Sequence, residues 1–155
     1  LALNFASDPE AADRLLRESF ARWLAEPRPP QLEALQLWLA QADERFEDAE
    51  IAASLAALRE AFPGAREIRS AAIEHRLVKA PEEALAAAEA LLGDFPWDAA
   101  AHILRARCLR KLQRFADARA GLSELLAKKP TTIDAYAELG QCLEDEAQLG
   151  AAREC

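Results

Sequence analysis

Four sets of residues in this chain could do chemistry by type. His75 and His102 could act as bases or metal ligands. Cys108, Cys142 and Cys155 could be nucleophiles or thiolate ligands. Glu144, Asp145 and Glu146 offer three carboxylates in a row. Residues 98–130 hold eight Arg or Lys against three Asp or Glu, a net of +5, and Arg forks bind carboxylates bidentately. The first three sets do not assemble into a reaction. The cysteines lack C-x-x-C spacing and are odd in number, so they suit neither a zinc site nor a disulfide framework. Consecutive carboxylates splay around a helix and cannot work as an acid/base pair on one face. No H-E-x-x-H, G-x-G-x-x-G or phosphate-binding loop occurs. The expectation is a chain with no catalytic residues, no metal and no cofactor.

The basic set is different, because it stands inside an acidic protein. The net charge of the 155 residues is −8, and residues 131–155 alone hold one Arg against six Asp or Glu, a net of −5. An acidic chain is a poor general nucleic-acid binder, since that needs a basic surface to displace phosphate counterions. No apolar run approaches the roughly 20 residues needed to span a bilayer, so this segment is not expected to insert into a membrane. The compartment is left open between cytoplasm and periplasm. The basic segment could hold an acidic peptide, or its charges could be solvated or paired between neighbouring helices.

The positioning elements follow from composition and period. Hydrophobic residues make up 52% of the chain, chiefly Ala and Leu, while Val is nearly absent. Ala, Leu, Arg and Glu favour helices, so the chain reads as all-α. RFEDA at residues 45–49 returns as RFADA at 114–118, 69 residues later. Ala84, Ala118 and Ala152 are spaced by 34, as are Pro96 and Pro130, Cys108 and Cys142, and Ile68, His102 and Tyr136. Ala49 lies 35 before Ala84, so the two pentapeptides occupy the same place two units apart. A sustained period of 34 belongs to helical solenoids. The pattern predicts helices at about 31–43, 47–61, 65–78, 81–94, 98–112, 115–128 and 132–146, with another starting near 149. Pro96 and Pro130 stop the helices before them, and Pro81 suits a first helical turn. Small residues at Ala106, Gly140, Ala84 and Ala118 would let neighbouring helices approach. An earlier helix is expected after Ser7 or Asp8, with Leu16, Phe20 and Trp23 on its apolar face and PRPP at 27–30 as the joint.

On these residues the chain resembles the tetratricopeptide repeat family, whose pattern sets a large aromatic, Leu, a small residue and Tyr before a conserved-type Ala and a closing Pro. Tyr136, Leu139, Gly140, Leu143 and Ala152 carry the resemblance in residues 133–155. Ala106, Leu109, Phe115, Ala118 and Pro130 carry it in 99–132, where His102 and Arg105 replace an aromatic and a Leu. Ala72, Ala84 and Pro96 carry it in 65–98, with Ile68 and His75 in aromatic slots. Residues 30–64 form a divergent repeat, and 1–29 a helical segment compatible with the end of an earlier one. The resemblance implies a right-handed α-solenoid of antiparallel helix pairs. It also implies a protein-interaction scaffold that binds a peptide or partner domain on the concave surface lined by first helices. An alternative is the accessory repeat region of an enzyme, such as a glycosyl- or sulfotransferase, that positions an acceptor.

The family's contact positions fall here on Arg66, Arg69, Ile73, Arg76 and Leu77; on Ala100, Ile103, Arg107, Arg110 and Lys111; and on Asp134, Ala137, Gln141, Glu144 and Asp145. The partner-binding set is therefore taken as Arg66, Arg69, Arg76, Arg107, Arg110, Lys111, Gln141 and Glu144. An acidic or C-terminal peptide would sit near Arg69, Arg76, Arg107 and Arg110. The family's carboxylate clamp for chaperone C-termini is not matched: Ser70 or Leu104, and Ile73 or Arg107, stand where it needs Asn. His75 and His102 are read as packing residues, Trp23 and Trp38 as core, and Trp97 as a staple between units; a shifted register would turn Trp38 to the groove. Both ends look cut inside a unit, which predicts further repeats or self-association through exposed solenoid ends.

Overall fold

The structure, a computed structural model, describes residues 8–154. Among them are eight α-helices and no strand: α1 Pro9–Ala25, α2 Leu32–Ala42, α3 Asp48–Ala61, α4 Arg66–Leu77, α5 Pro81–Asp94, α6 Ala99–Lys111, α7 Phe115–Lys128 and α8 Ile133–Glu154. The fold class is all-α, a helical repeat. Expectations for residues 1–6, Ser7 and Cys155 lie outside the described residues.

The helix boundaries follow from proline. Pro9 opens α1 and Pro81 opens α5, each at a position whose N–H has no intrahelical partner. Asp8 caps α1 by accepting from the Ala11 N–H at 2.9 Å, and Asp98 caps α6 in the same way through Ala101. Three helices end two residues before a proline. Phe62, Phe95 and Lys129 follow α3, α5 and α7 with φ of −132°, −131° and −132° and ψ of 67°, 75° and 73°. The ring of the next residue disfavours the helical region there, so the chain leaves the helix. The same backbone shape therefore recurs at three helix ends.

The chain divides into two compact units, residues 1–72 and 73–155, with the boundary inside α4. In the first unit Leu16, Phe20, Leu35, Trp38, Leu39, Ile51, Leu55, Leu58 and Ile68 form one buried core. Trp38 is its largest member. Its ring meets Phe20, Trp23 and Phe46 at centroid distances of 5.1, 6.4 and 6.3 Å. Its Nε1–H donates to the Leu16 carbonyl at 2.9 Å. A register that turns Trp38 outward is excluded by this burial. At the rim, the Arg17 guanidinium lies over the Phe46 ring and pairs with Glu50, and Arg45 pairs with Asp13 at 3.3 Å.

In the second unit α5, α6, α7 and α8 pack in sequence, and α6 also packs on α8. The two first helices α6 and α8 thus lie against each other, with α7 packed on both. Ala84, Ala88, Ala101, Ala106 and Ala118 are almost wholly buried where helices come closest, and Leu91, Leu109, Leu122 and Leu125 fill between them. Arg105, at a position where the motif has Leu, is accommodated by its neighbours. It pairs with Glu89 on α5 at 3.5 Å, and an added Cβ at Gly121 on α7 would come within 2.8 Å of its Nη1. A side chain at 121 would make the Arg105 guanidinium shift.

The turn between α6 and α7 has a left-handed residue, Gln113, at φ 59°. Arg114 N–H bonds to the Leu109 carbonyl and Gln113 N–H to the Arg110 carbonyl, the two-bond closure of a helix that ends in such a residue. Burial of Phe115, Ala118, Leu122 and Leu125 on α7 offsets that strained turn.

Two sequence expectations fail on α8. The break expected before 149 is absent, and α8 runs unbroken for 22 residues. Residue 147, the counterpart of Gln113, is Ala, and Ala147, Ala151 and Ala152 favour continuing the helix. Leu149 is the sole large apolar residue from 147 to 154, so a turn would bury little. It packs instead, half-buried, against the unit's core. Gly140 also differs from its counterpart Ala106. It is exposed, with nothing within 4 Å of an added Cβ, whereas Ala106 is 3% exposed.

Trp97 does act as a staple within the second unit. It stacks on His102 at 6.1 Å, the Lys128 ammonium lies 5.5 Å from its ring centroid, and Lys129 donates to its carbonyl. His102 donates from Nε2 to the Pro96 carbonyl at 2.9 Å, which fixes its tautomer and confirms it as a packing group. Trp97→Ala is expected to lower stability by about 1–2 kcal/mol, the ring being 42% exposed. Urea denaturation followed by circular dichroism measures this. A loss indistinguishable from zero would mean that Pro96 alone sets the loop.

Candidate protein-binding face

The first helices of the second unit carry a ladder of alternating charges. Glu74, in the last turns of α4, accepts from Arg107 Nη1 of α6 at 3.3 Å. Arg107 Nε donates to Glu138 of α8 at 3.0 Å. The other Glu138 oxygen accepts from Arg110 Nε at 2.9 Å, and Arg110 Nη1 reaches Asp145. Gln141 extends the row by donating to Asp145 at 3.1 Å and to Glu144 at 3.5 Å. Glu138 is the innermost member, at 7% exposure. A carboxylate this far from water is tolerated because each oxygen accepts from a different guanidinium.

Protonation follows from these contacts. Burial works against the Arg110 charge, but its hydrogen bond to Asp145 and the nearby Glu138 carboxylate more than offset this and raise its pKa. The hydrogen bond from Arg110, helped by Gln141, holds the Asp145 carboxyl below the usual carboxylate range. A depressed folded-state pKa contributes stability that is present above the unfolded carboxylate value. That contribution is lost as pH falls through the depressed value.

Of the residues expected to bind a partner, Arg76, Arg107, Arg110, Lys111, Gln141 and Glu144 lie in the second unit, and Arg66 and Arg69 in the first. The structure joins Arg107, Arg110, Gln141 and Glu144 in the one ladder. Arg76 is exposed and pairs with Glu83 at 3.3 Å, and Lys111 is exposed. Arg66 is exposed at the start of α4 with Glu67 beside it at 3.3 Å, and Arg69 is half-buried. Ile73, Leu77 and Ile103 are buried in the core rather than presented to a ligand. The positive charge legible in the sequence at Arg107 and Arg110 is met by carboxylates of this chain. Those carboxylates come from helices about one period away, a distance at which no local charge pattern reveals them.

The acidic run also resolves into separate roles. Glu144 is exposed beside Gln141, Asp145 serves Arg110, and Glu146 pairs with Arg119 at 3.2 Å. A cleft of about 410 Å³ lies between the start of α7 and the last third of α8, lined by Gln113, Arg114, Phe115, Asp117, Glu146 and Leu149. Its charged groups are already matched, Arg114 with Asp117 at 2.7 Å and Glu146 with Arg119.

Cys108 is wholly buried, and that burial pushes its thiol up to about 11. Cys142 is buried too, its Sγ 3.6 Å from the Phe115 carbonyl, and burial raises its pKa. Thiolate is the reactive form, so both are inert at neutral pH. The sign of the linkage is fixed. Above about pH 9 the unfolded Cys108 ionises while the folded one keeps its proton. Stability is therefore expected to fall between about pH 9 and 11, by up to about 2–3 kcal/mol from this group. Denaturation at stepped pH, compared with Cys108→Ala, isolates it: the variant should show the shallower slope, and parallel slopes would refute the assignment.

Comparison with known proteins agrees with the geometry. Residues 76–139 match the family model described as Tetratricopeptide repeat. That stretch belongs with the tetratricopeptide repeats, which generally mediate protein–protein interaction. No curated protein and no solved structure matches it. No helix among the described residues is long and apolar enough to cross a membrane.

Proposed function

We propose that the chain is a non-catalytic scaffold that binds a peptide or partner domain on the first-helix face of its second unit. The observation that carries this is the charge ladder from Glu74 to Asp145. It fixes two long arginine side chains in advance, so a partner meets a surface whose rotamer entropy has already been spent. Along its edge Arg76, Lys111, Ala137, Gln141 and Glu144 are exposed. Charges of both signs lie there, which suits a polar segment with its own alternating charges as well as an acidic one. The fixed order of those charges supplies register and discrimination. Arg66 and Arg69 are proposed as a further contact on the first unit.

The test is a photo-crosslinking amino acid placed at Ala137, on this face, or at Ala120, exposed on α7. Each is used as bait in lysate of the source organism. The expected result is a crosslinked protein at 137 that is absent at 120 and is lost when Lys111→Glu and Gln141→Lys are added. Equal yield at the two positions would overturn the assignment of the face.

A further inference from the structure

Trp97 stands in the turn between α5 and α6, with helices of this chain before and after it, and its indole is 42% exposed. The turn itself does not need an indole. Phe62, Phe95 and Lys129 share one backbone shape before Pro63, Pro96 and Pro130, and the residues after those prolines are Gly64, Trp97 and Thr131. Trp97 is also held in place. His102 stacks on the ring with an interplanar angle of 16°, while its Nε2 is bonded to the Pro96 carbonyl. Lys128 Nζ lies 5.5 Å from the ring centroid, and Lys129 Nζ donates to the Trp97 carbonyl. These two lysines differ from the arginines of the second unit. Arg76, Arg105, Arg107, Arg110, Arg114 and Arg119 each pair with a carboxylate. Among the described residues no carboxylate pairs with Lys128 or Lys129. Asp98, in the Trp97 turn, caps α6 instead. An ammonium has three N–H donors and each of these has one contact, so donors are left over on both.

We propose that this edge is a docking site for an acidic segment of a partner protein, with Trp97 as its fixed anchor and Lys128 and Lys129 as donors to its carboxylates. An aliphatic side chain of the segment would cover the open part of the indole, and two carboxylates would take the spare ammonium donors. Trp is enriched among interface anchors, and a ring already immobilised loses little rotamer entropy on binding. Charge selects the occupant. A short acidic segment needs only the local match to two unpaired ammoniums, since charges farther away than about 8 Å are screened at physiological salt. The extended phosphate array of a nucleic acid or an anionic membrane would instead lie against much of a chain whose net charge is −8. The site shares no residue with the ladder from Glu74 to Asp145.

The test uses the full chain and a fluorescein-labelled peptide of four glutamates around a central leucine, read by polarisation at low salt. The control peptide has glutamine at all four places. The glutamate peptide is expected to bind at least about fivefold more tightly than the control. Lys128→Gln with Lys129→Gln should remove that difference. Trp97→Thr, which gives this turn the residue type found after Pro130, should weaken the glutamate peptide about tenfold while circular dichroism shows the helices intact. Lys111→Glu with Gln141→Lys, on the first-helix face, should leave it unchanged, so that failure of this site and failure of that face are read apart. Binding indifferent to Trp97→Thr or to the lysine pair would overturn the proposal. So would loss of binding in the first-helix variant, or tighter binding of oligothymidylate or phosphatidylserine vesicles than of the glutamate peptide. Sedimentation of the chain alone as a dimer that Trp97→Thr disperses would overturn it too, since a second copy would then hold the edge.

Discussion

Replacing Glu138 with Ala is expected to destabilise the protein by about 3 kcal/mol, toward the lower end of what breaking a buried ion pair costs. The carboxylate is 7% exposed and accepts from Arg107 and Arg110 at 3.0 and 2.9 Å. Its removal leaves two guanidiniums facing each other across the space it filled. Each keeps one acidic partner, Glu74 for Arg107 and Asp145 for Arg110, which is why the loss should not reach the top of the range. Glu138→Gln preserves the shape and one acceptor, but turns an amide donor toward a guanidinium that also donates. About half the loss is expected there. Urea denaturation at pH 7 measures both. A loss under about 1 kcal/mol would place the ladder among solvent-screened surface pairs and remove the basis for a rigid binding face.

The contrast between what could be read and what could not has a physical shape. Helix ends were legible wherever proline sets them: α5 and α7 fall on residues 81–94 and 115–128 as the sequence predicts. The family was legible because small residues recur where helices must approach, as at Ala84, Ala106 and Ala118. The end of α8 was not, because a period says where a turn would fall and not whether making it is favourable. Gln113 and Ala147 hold the same place, and what differs is the apolar content of the segment that follows. The ladder was half legible. Arg107 and Arg110 stood out as a basic cluster, but their partners are 28, 31, 33 and 35 residues away. A search at that separation, once the period was known, would have found Glu74, Glu138 and Asp145.

Trp38→Ala in the first unit is expected to cost about 3–5 kcal/mol, the range for deleting a large buried aromatic. The indole is 5% exposed and touches three other aromatic rings. Two components add to the lost transfer energy. Phe20 and Trp23 are fixed on α1 and Phe46 in the turn between α2 and α3, so they cannot collapse together into the space without moving backbone and a cavity remains. The Leu16 carbonyl also loses the Nε1–H that reaches it at 2.9 Å. That second loss is small, because the same carbonyl accepts from the Ser19 hydroxyl at 2.9 Å. Trp38→Phe separates the two components. It keeps an aromatic ring in contact with Phe20 and drops the hydrogen bond, so about 1–2 kcal/mol is expected. Near-ultraviolet circular dichroism should lose its aromatic signal in the Ala variant and keep most of it in the Phe variant. If Phe proves as costly as Ala, the hydrogen bond and not the ring cluster organises this core, and the physical account of the first unit would have to be rebuilt around the Leu16 carbonyl.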